Sequence, residues 1–347
     1  MTTKNPPYSN RGVEIIKNDE NPLTAMIDYL RVSFKTHDID LILEKVVHLK
    51  KDYMEHKESG FYGYIGTYQL DNIKVFYSHS LDERGILVEM SGKGCRQFES
   101  FLKARKKTWF DFFRDCLENK GRFPRLDIAI DDKKTYFEIP MILEKIKHGE
   151  AISQFRKSDY NGSLNIEDGD YRGTTIYFGS KQSEVYLCFY QKNYEQANKF
   201  NVPVEEFGDW NRYELRLKND RAHNAILGIL EYENLLHVAK GIIKNYLRFV
   251  ERGNSESRQS WVTSSFWEEF LSDVEKLRLF TKPDDKFYEK SKNWFMKYGV
   301  RTMTMVKIVA DTLGTTDLQD VEEETELNPK QEHMMKVYMA KVMDMVV

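Results

Sequence analysis

In a β-strand successive side chains point to opposite faces, so three runs of this chain can be split by inspection. In the run 123–131, Leu126, Ile128 and Ile130 make an apolar face and leave Asp127, Ala129 and Asp131 opposite. In 184–192 the apolar face is Val185, Leu187 and Phe189, opposite Tyr186, Cys188, Tyr190 and Lys192. In 212–218 it is Tyr213, Leu215 and Leu217, opposite Arg212, Glu214, Arg216 and Lys218. If the three strands share a sheet, their polar faces form one surface of carboxylates, a phenol and cations. Clustered carboxylates repel unless a hard cation bridges them, and oxygen ligands favour Mg²⁺ or Mn²⁺. Asp127 with Glu214 is the candidate ligand pair, and Asp131 shares their face. Such a metal polarises a phosphoryl oxygen. Tyrosine is a weak nucleophile at its ordinary pKa of about 10, so a metal or a cation such as Lys192 must favour the phenolate. Arginine forks match phosphate oxygens, which makes Arg212 a candidate clamp. Together these groups suggest phosphodiester transfer to a phenol, with Tyr190 as nucleophile and Tyr194 as its rival if the strand continues. Alternation alone is equally the pattern of a solvated sheet face.

The elements that must position these residues read as a mostly antiparallel α+β domain. Candidate strands are Ile27–Phe34, Phe61–Tyr68, Ile73–His79, Gly85–Ser91, Phe123–Asp131, Thr174–Gly179, Glu184–Gln191 and Trp210–Lys218. Several are joined by turns too short for parallel crossovers. Candidate helices are Asp38–Met54, Arg96–Glu118 and Phe137–Lys147. From Asp220, a plausible N-cap, apolar residues recur every three to four positions through Phe249, which predicts an amphipathic helix. Residues 1–25, with their prolines, predict a loose arm; 26–252 form the expected catalytic domain. Arg252–Ser260 reads as a linker, and 261–347 as a helical region with helices at Ser264–Phe280, Phe287–Gly314 and Pro329–Met345.

Composition narrows the function classes. With 52 basic and 55 acidic residues the formal charge is −3, but nine acids against three bases lie from Asp311 onward, which leaves +3 on residues 1–310. Ile86–Arg125 alone holds ten bases and five acids, a candidate phosphate-attracting patch around Lys93–Lys107. No apolar stretch approaches the roughly 20 residues a bilayer needs, so no membrane partner is expected. Three cysteines without a C-x-x-C spacing and an opening lacking an apolar leader suggest a cytoplasmic protein without disulfides or structural zinc. None of the eight histidines is two residues from another, which excludes a His-x-His metal pair.

The segments Arg125–Asp131, Tyr177–Ser183 leading into Phe189–Glu195, and Arg212–Lys218, in that order, resemble the Rep_trans family. These are rolling-circle replication initiators of plasmids and related relaxases of integrative conjugative elements. Gly85–Phe98 looks closer to the conjugative branch. The resemblance spans about Ile27 to Lys218 and implies a strand-specific endonuclease that nicks a double-stranded origin, stays joined to the 5′ phosphate and later reseals. The family's hydrophobic-Tyr-x-Lys context is Phe189-Tyr190-Gln191-Lys192 here, which selects Tyr190 over Tyr194. Asp127 and Glu214 would hold the metal, with Asp131 second and Asp28 a further candidate. The strand near the nick would be single-stranded, and Tyr62, Tyr64, Tyr68, Tyr186 and Tyr190 could offer a stacking surface. The C-terminal helices and their Met-rich end would recognise the origin, contact a helicase or form a homodimer. A hydrolytic nuclease without a covalent intermediate and a non-catalytic origin-binding protein are the alternatives.

Overall fold

The computed structural model describes residues 22–279 except 273, and 292, 294–328, 331, 332, 335 and 339. The expected arm lies almost wholly outside these, as does most of the helix expected at Pro329–Met345. The chain divides into two compact units, the second starting at Thr281.

The first unit is built on one ten-stranded sheet in which every pair is antiparallel. In chain order its strands are β1 (Leu23–Phe34), β2 (Glu55–Lys57), β3 (Gly66–Leu70), β4 (Ile73–Tyr77), β5 (Ile86–Met90) and β6 (Arg122–Asp132). A short pair, β7 (Ala151–Ser153) and β12 (Leu247–Phe249), stands apart. The remaining sheet strands are β8 (Ser158–Leu164), β9 (Tyr171–Phe178), β10 (Val185–Gln191) and β11 (Asn211–Lys218). The spatial order is β2-β3-β4-β5-β1-β6-β11-β10-β9-β8, so the three runs with the polar face are neighbours at the centre.

The apolar face behaves as alternation requires. Leu126, Ile128, Ile130, Leu187, Phe189, Tyr213, Leu215 and Leu217 are fully buried in one core with Phe98, Phe112, Ile142, Ile226 and Ile242 from the helices Gly92–Ala104, Trp109–Glu118, Ile139–Lys147, Asn219–Tyr232 and Leu235–Tyr246. Asp132 ends β6 on this side, completely buried. Its carboxylate accepts the backbone N–H groups of Lys134, Thr135 and Tyr136 and the Tyr213 hydroxyl at 2.7–3.0 Å, closing the turn.

Several expected elements come out shorter or divided, and backbone geometry gives the reason. The helix expected at Arg96–Glu118 is two, because Lys106 turns left-handed (φ 55) and Thr108 with Asp111 caps a new start. The helix after Asp220 starts at Asn219 and breaks at Glu233 (φ 47), where Asn234 caps the next one. Asp38–Met54 is helical only in short turns, interrupted at His48 (φ 54) before a last turn at Lys51–Tyr53. The strand expected from Phe61 begins at Gly66, and β8 was not expected. The helix Ser265–Leu271 belongs to the first unit: Trp267 and Phe270 are buried against Phe137, with ring centroids at 5.7 and 5.3 Å. In the second unit, Val300–Leu313 and Asp317–Glu324 are helices. No helix among the described residues is long and apolar enough to cross a membrane.

Truncating a fully buried aromatic removes its transfer energy and leaves a cavity. Phe270→Ala should therefore cost about 3–5 kcal/mol of unfolding free energy, read as a lower denaturation midpoint.

Candidate active site on the open sheet face

Register fixes which polar side chains meet. Tyr190 of β10 faces Arg212 of β11, which faces Asp131 of β6; Cys188 faces Glu214, which faces Ala129; Tyr186 faces Arg216, which faces Asp127. The polar faces thus form three cross-strand rows. They are not solvated: Asp127 is 5% exposed, Asp131 6%, Glu214 8% and Arg212 3%.

Burial of that many charges requires partners, and each carboxylate has a guanidinium. Asp131 accepts a two-pronged fork from Arg212 (Nε to Oδ1 2.6 Å, Nη2 to Oδ2 2.7 Å) and the Trp210 indole N–H at 2.7 Å. Asp127 accepts the same fork from Arg125, at 3.0 and 2.6 Å. Glu214 accepts Arg216 Nη2 on Oε2 at 2.7 Å and the Tyr190 hydroxyl on Oε1 at 2.8 Å. Lys192 Nζ lies 3.4 Å from the Tyr190 oxygen and 2.5 Å from Glu195 Oε2.

These contacts set the chemistry of the phenol. Burial, then the Glu214 anion, push the Tyr190 pKa far above the ordinary tyrosine value, and Arg212 opposes them. The resting group is a neutral phenol already hydrogen-bonded to a carboxylate that can take its proton. Burial likewise raises Asp127 above the usual carboxylate range, against the pull of Arg125.

The structure separates the two tyrosines. β10 ends at Gln191 and a helix, Lys192–Phe200, begins at once. Tyr194 therefore leaves the strand's alternation and packs edge-on against Tyr171, 5.0 Å between centroids. Lys192, although on the helix, still reaches Tyr190. Asp28 sits at a β-bulge, where pairing shifts between Ile27 and Tyr29, and its Oδ1 is 4.0 Å from Arg212 Nη1. Of the tyrosines expected to stack, Tyr62 is exposed, Tyr64 and Tyr186 are buried and Tyr68 is half-buried on His56, 4.7 Å away. Arg125 and Trp210 were not singled out from sequence; Arg125, two residues before Asp127, could have been found by the same alternation.

For a divalent cation the donor chemistry fits, since Asp127 and Glu214 are hard oxygen ligands on one face. Among the described residues no group of three acidic, histidine or cysteine side chains gathers as a full metal cage. Both carboxylates are also engaged by guanidinium groups, and Mg²⁺ is commonly held by one or two carboxylates with substrate phosphate oxygens completing the set.

The profile of Rep_trans, replication initiation factors, matches residues 121–321, and that of the rolling circle replication initiation protein N-terminal domain matches 24–115. A protein of Bacillus subtilis (strain 168) described provisionally as the DNA relaxase NicK is 59% identical over 348 residues, covering 99% of both chains. The structure of the rolling circle replication initiator protein from Geobacillus stearothermophilus superposes with a TM-score of 0.64 and 30% identity, over 75% of this chain and 100% of that one.

Two measurements test the geometry. Asp131→Asn leaves the buried Arg212 charge without its counter-ion and should cost about 3–5 kcal/mol of stability by chemical denaturation. Glu214→Gln removes an anion that holds the Tyr190 proton, so the phenol pKa should fall, read by NMR titration of ring-labelled tyrosine; in the parent chain Tyr190 should remain protonated past about pH 10.

Proposed function

The chain belongs to the replication initiation factor family, the rolling-circle initiators and relaxases, and from that premise we propose that it nicks one DNA strand through Tyr190 and can reseal it. The observation that carries this reading is the Tyr190 hydroxyl held 2.8 Å from Glu214 with Lys192 at 3.4 Å.

The step proceeds as follows. Tyr190 Oη attacks the scissile phosphorus and its proton passes to Glu214 Oε1. The bond from phosphorus to the 3′ oxygen breaks, the 3′ hydroxyl leaves with a proton from solvent, and the 5′ phosphate stays esterified to the phenol. Lys192 and Arg212 stabilise negative charge developing on the phenol and the phosphate. Arg212 spends Nε and Nη2 on Asp131, which supports Asp131 as the group that orients that guanidinium, and Nη1, 4.0 Å from Asp28 Oδ1, is the nitrogen that would turn to the phosphate. Asp127 and Glu214 would hold Mg²⁺ or Mn²⁺, which when bound draws charge from the non-bridging phosphoryl oxygens. Resealing is the reverse: a 3′ hydroxyl attacks the phosphotyrosine and Glu214 returns its proton. The bond energy is retained, so no other energy source is required.

Incubation with supercoiled plasmid carrying the origin and Mg²⁺ should give an SDS-stable protein–DNA adduct, which Tyr190→Phe and chelation both abolish. Glu214→Gln should slow nicking by roughly 10²–10⁴-fold, the usual contribution of a positioned base. Free 5′ phosphates without an adduct would mean hydrolysis by metal-activated water, and binding without any break would mean a non-catalytic origin protein. An adduct that survives Tyr190→Phe would move the nucleophile elsewhere.

A further inference from the structure

The open face continues beyond the catalytic rows. Across β1, β5 and β4 it carries Arg31, Glu89 and Lys74 in register with Arg125 of β6. Rings and cations interleave along this path: Arg125 lies 3.8 Å from the Tyr29 ring centroid, and Arg31 lies 5.3 Å from Tyr29 and 4.2 Å from Tyr62. Glu89 ties them together, accepting the Tyr29 hydroxyl at 2.6 Å, Arg31 Nε at 2.6 Å and the Tyr62 hydroxyl at 3.2 Å.

At the end of the path a loop, residues 59–65, crosses the sheet. Beneath it Tyr64, Phe76 and Leu87 form a second small core, separate from the main one. The loop is held firmly. Thr67 donates to Ser59 O at 2.9 Å, Ile65 N–H to Tyr77 O at 3.0 Å, and Arg84 Nη1 to Tyr62 O at 2.8 Å. Gly63 is left-handed (φ 82), and a side chain there would collide with Arg84. Tyr62 is also left-handed (φ 59), a strained conformation for an aromatic residue.

What this rigid loop presents is two adjacent aromatic rings, Phe61 at 64% and Tyr62 at 54% exposure. Both stand edge-on to Phe76, at 6.3 and 6.0 Å. Lys74 Nζ lies 5.6 Å from the Phe61 centroid. Exposed rings beside cations on a backbone-tracking surface are the usual means of holding unpaired nucleotides without regard to sequence. Four strand steps of about 4.8 Å each separate β10 from β5, and the row of Arg31 and Arg125 lies six residues along the strands from the row of Tyr190, Arg212 and Asp131, about 20 Å more at roughly 3.3 Å per residue, so the loop lies several nucleotides from Tyr190 along a diagonal of the face.

We infer that Phe61 and Tyr62 form a stacking subsite for unpaired nucleobases of the strand whose phosphate reaches Tyr190, with Lys74 and Arg31 flanking its backbone. This deepens the function proposed above and rests on it for the direction of the strand. It accounts for the strained Tyr62: the loop fixes the rings before DNA arrives, so little ordering is left to oppose binding.

The test uses the full chain and fluorescently labelled single-stranded oligo(dT), followed by anisotropy at several salt concentrations. Phe61→Ala and Tyr62→Ala should each weaken binding by about tenfold, the ordinary range for loss of one stacked base, with the salt slope unchanged. Lys74→Ala should instead make the slope shallower by about one. Phe61→Trp should restore tight binding, and Phe61→Leu should not. Thermal melts show whether each variant is folded, and Phe61→Ala, an exposed position, is the decisive one. Binding by Phe61→Ala/Tyr62→Ala within twofold of the parent would overturn the inference. So would sedimentation showing a parent dimer that these changes convert to monomer without altering DNA affinity, since the rings would then serve a second copy of the chain. The same titrations in Tyr190→Phe separate the two readings: ring-dependent binding without any covalent adduct in the parent upholds the subsite and rejects the nucleophile.

Discussion

Three carboxylates on neighbouring strands, each less than a tenth exposed, can coexist only because each lies against a guanidinium: Asp127 with Arg125, Asp131 with Arg212, Glu214 with Arg216. A buried charge without its partner costs several kcal/mol. Two of the pairs close within one strand, Asp127 with Arg125 on β6 and Glu214 with Arg216 on β11, and the third crosses between strands. The Asp131–Arg212 fork joins positions 81 residues apart in the chain and demands that β6 and β11 be adjacent. Glu214 is the member with divided duties. One oxygen meets Arg216 and the other the Tyr190 phenol, so the charge balance of the sheet and the state of the phenol share a single group.

Which side chains share the polar face was readable because strand periodicity is strict. One buried face determines the opposite face, and Asp127, Asp131, Tyr190, Arg212 and Glu214 were all identified by that rule. Pattern could not supply the pairing of acids with arginines, since two-residue spacing along a strand and adjacency across strands look alike until the order of strands is known. The strand-to-helix switch at Lys192 was hidden too, because nothing in Gln191-Lys192-Asn193 is a strong breaker. Phe61–Tyr68 has the aromatic content of a strand, but Gly63 and a left-handed Tyr62 turn its first half into a loop. β8, Ser158–Leu164, escaped detection for the opposite reason: it is an edge strand exposed along nearly all its length, so it carries no buried period to find.

The two sides of the sheet divide the work. One side is a continuous apolar core capped by helices, which supplies rigidity. The other, free of that requirement, carries the carboxylates, the guanidinium and the phenol of the proposed reaction as well as the aromatic loop, with Lys192 reaching in from the helix that follows β10. The small core under that loop, Tyr64 with Phe76 and Leu87, lets an exposed pair of rings sit on a firm base without borrowing from the main core.

Tyr190 lies one residue before the end of β10, with β9 paired on one flank and β11 on the other. A nucleophile carried on a loop could swing after its product; one woven into mid-sheet cannot. On the proposed reaction, a strand end joined to this phenol is bolted to the protein body. Unwinding must then draw the remaining duplex past a stationary post, and closure must wait until a free 3′ end is delivered to it.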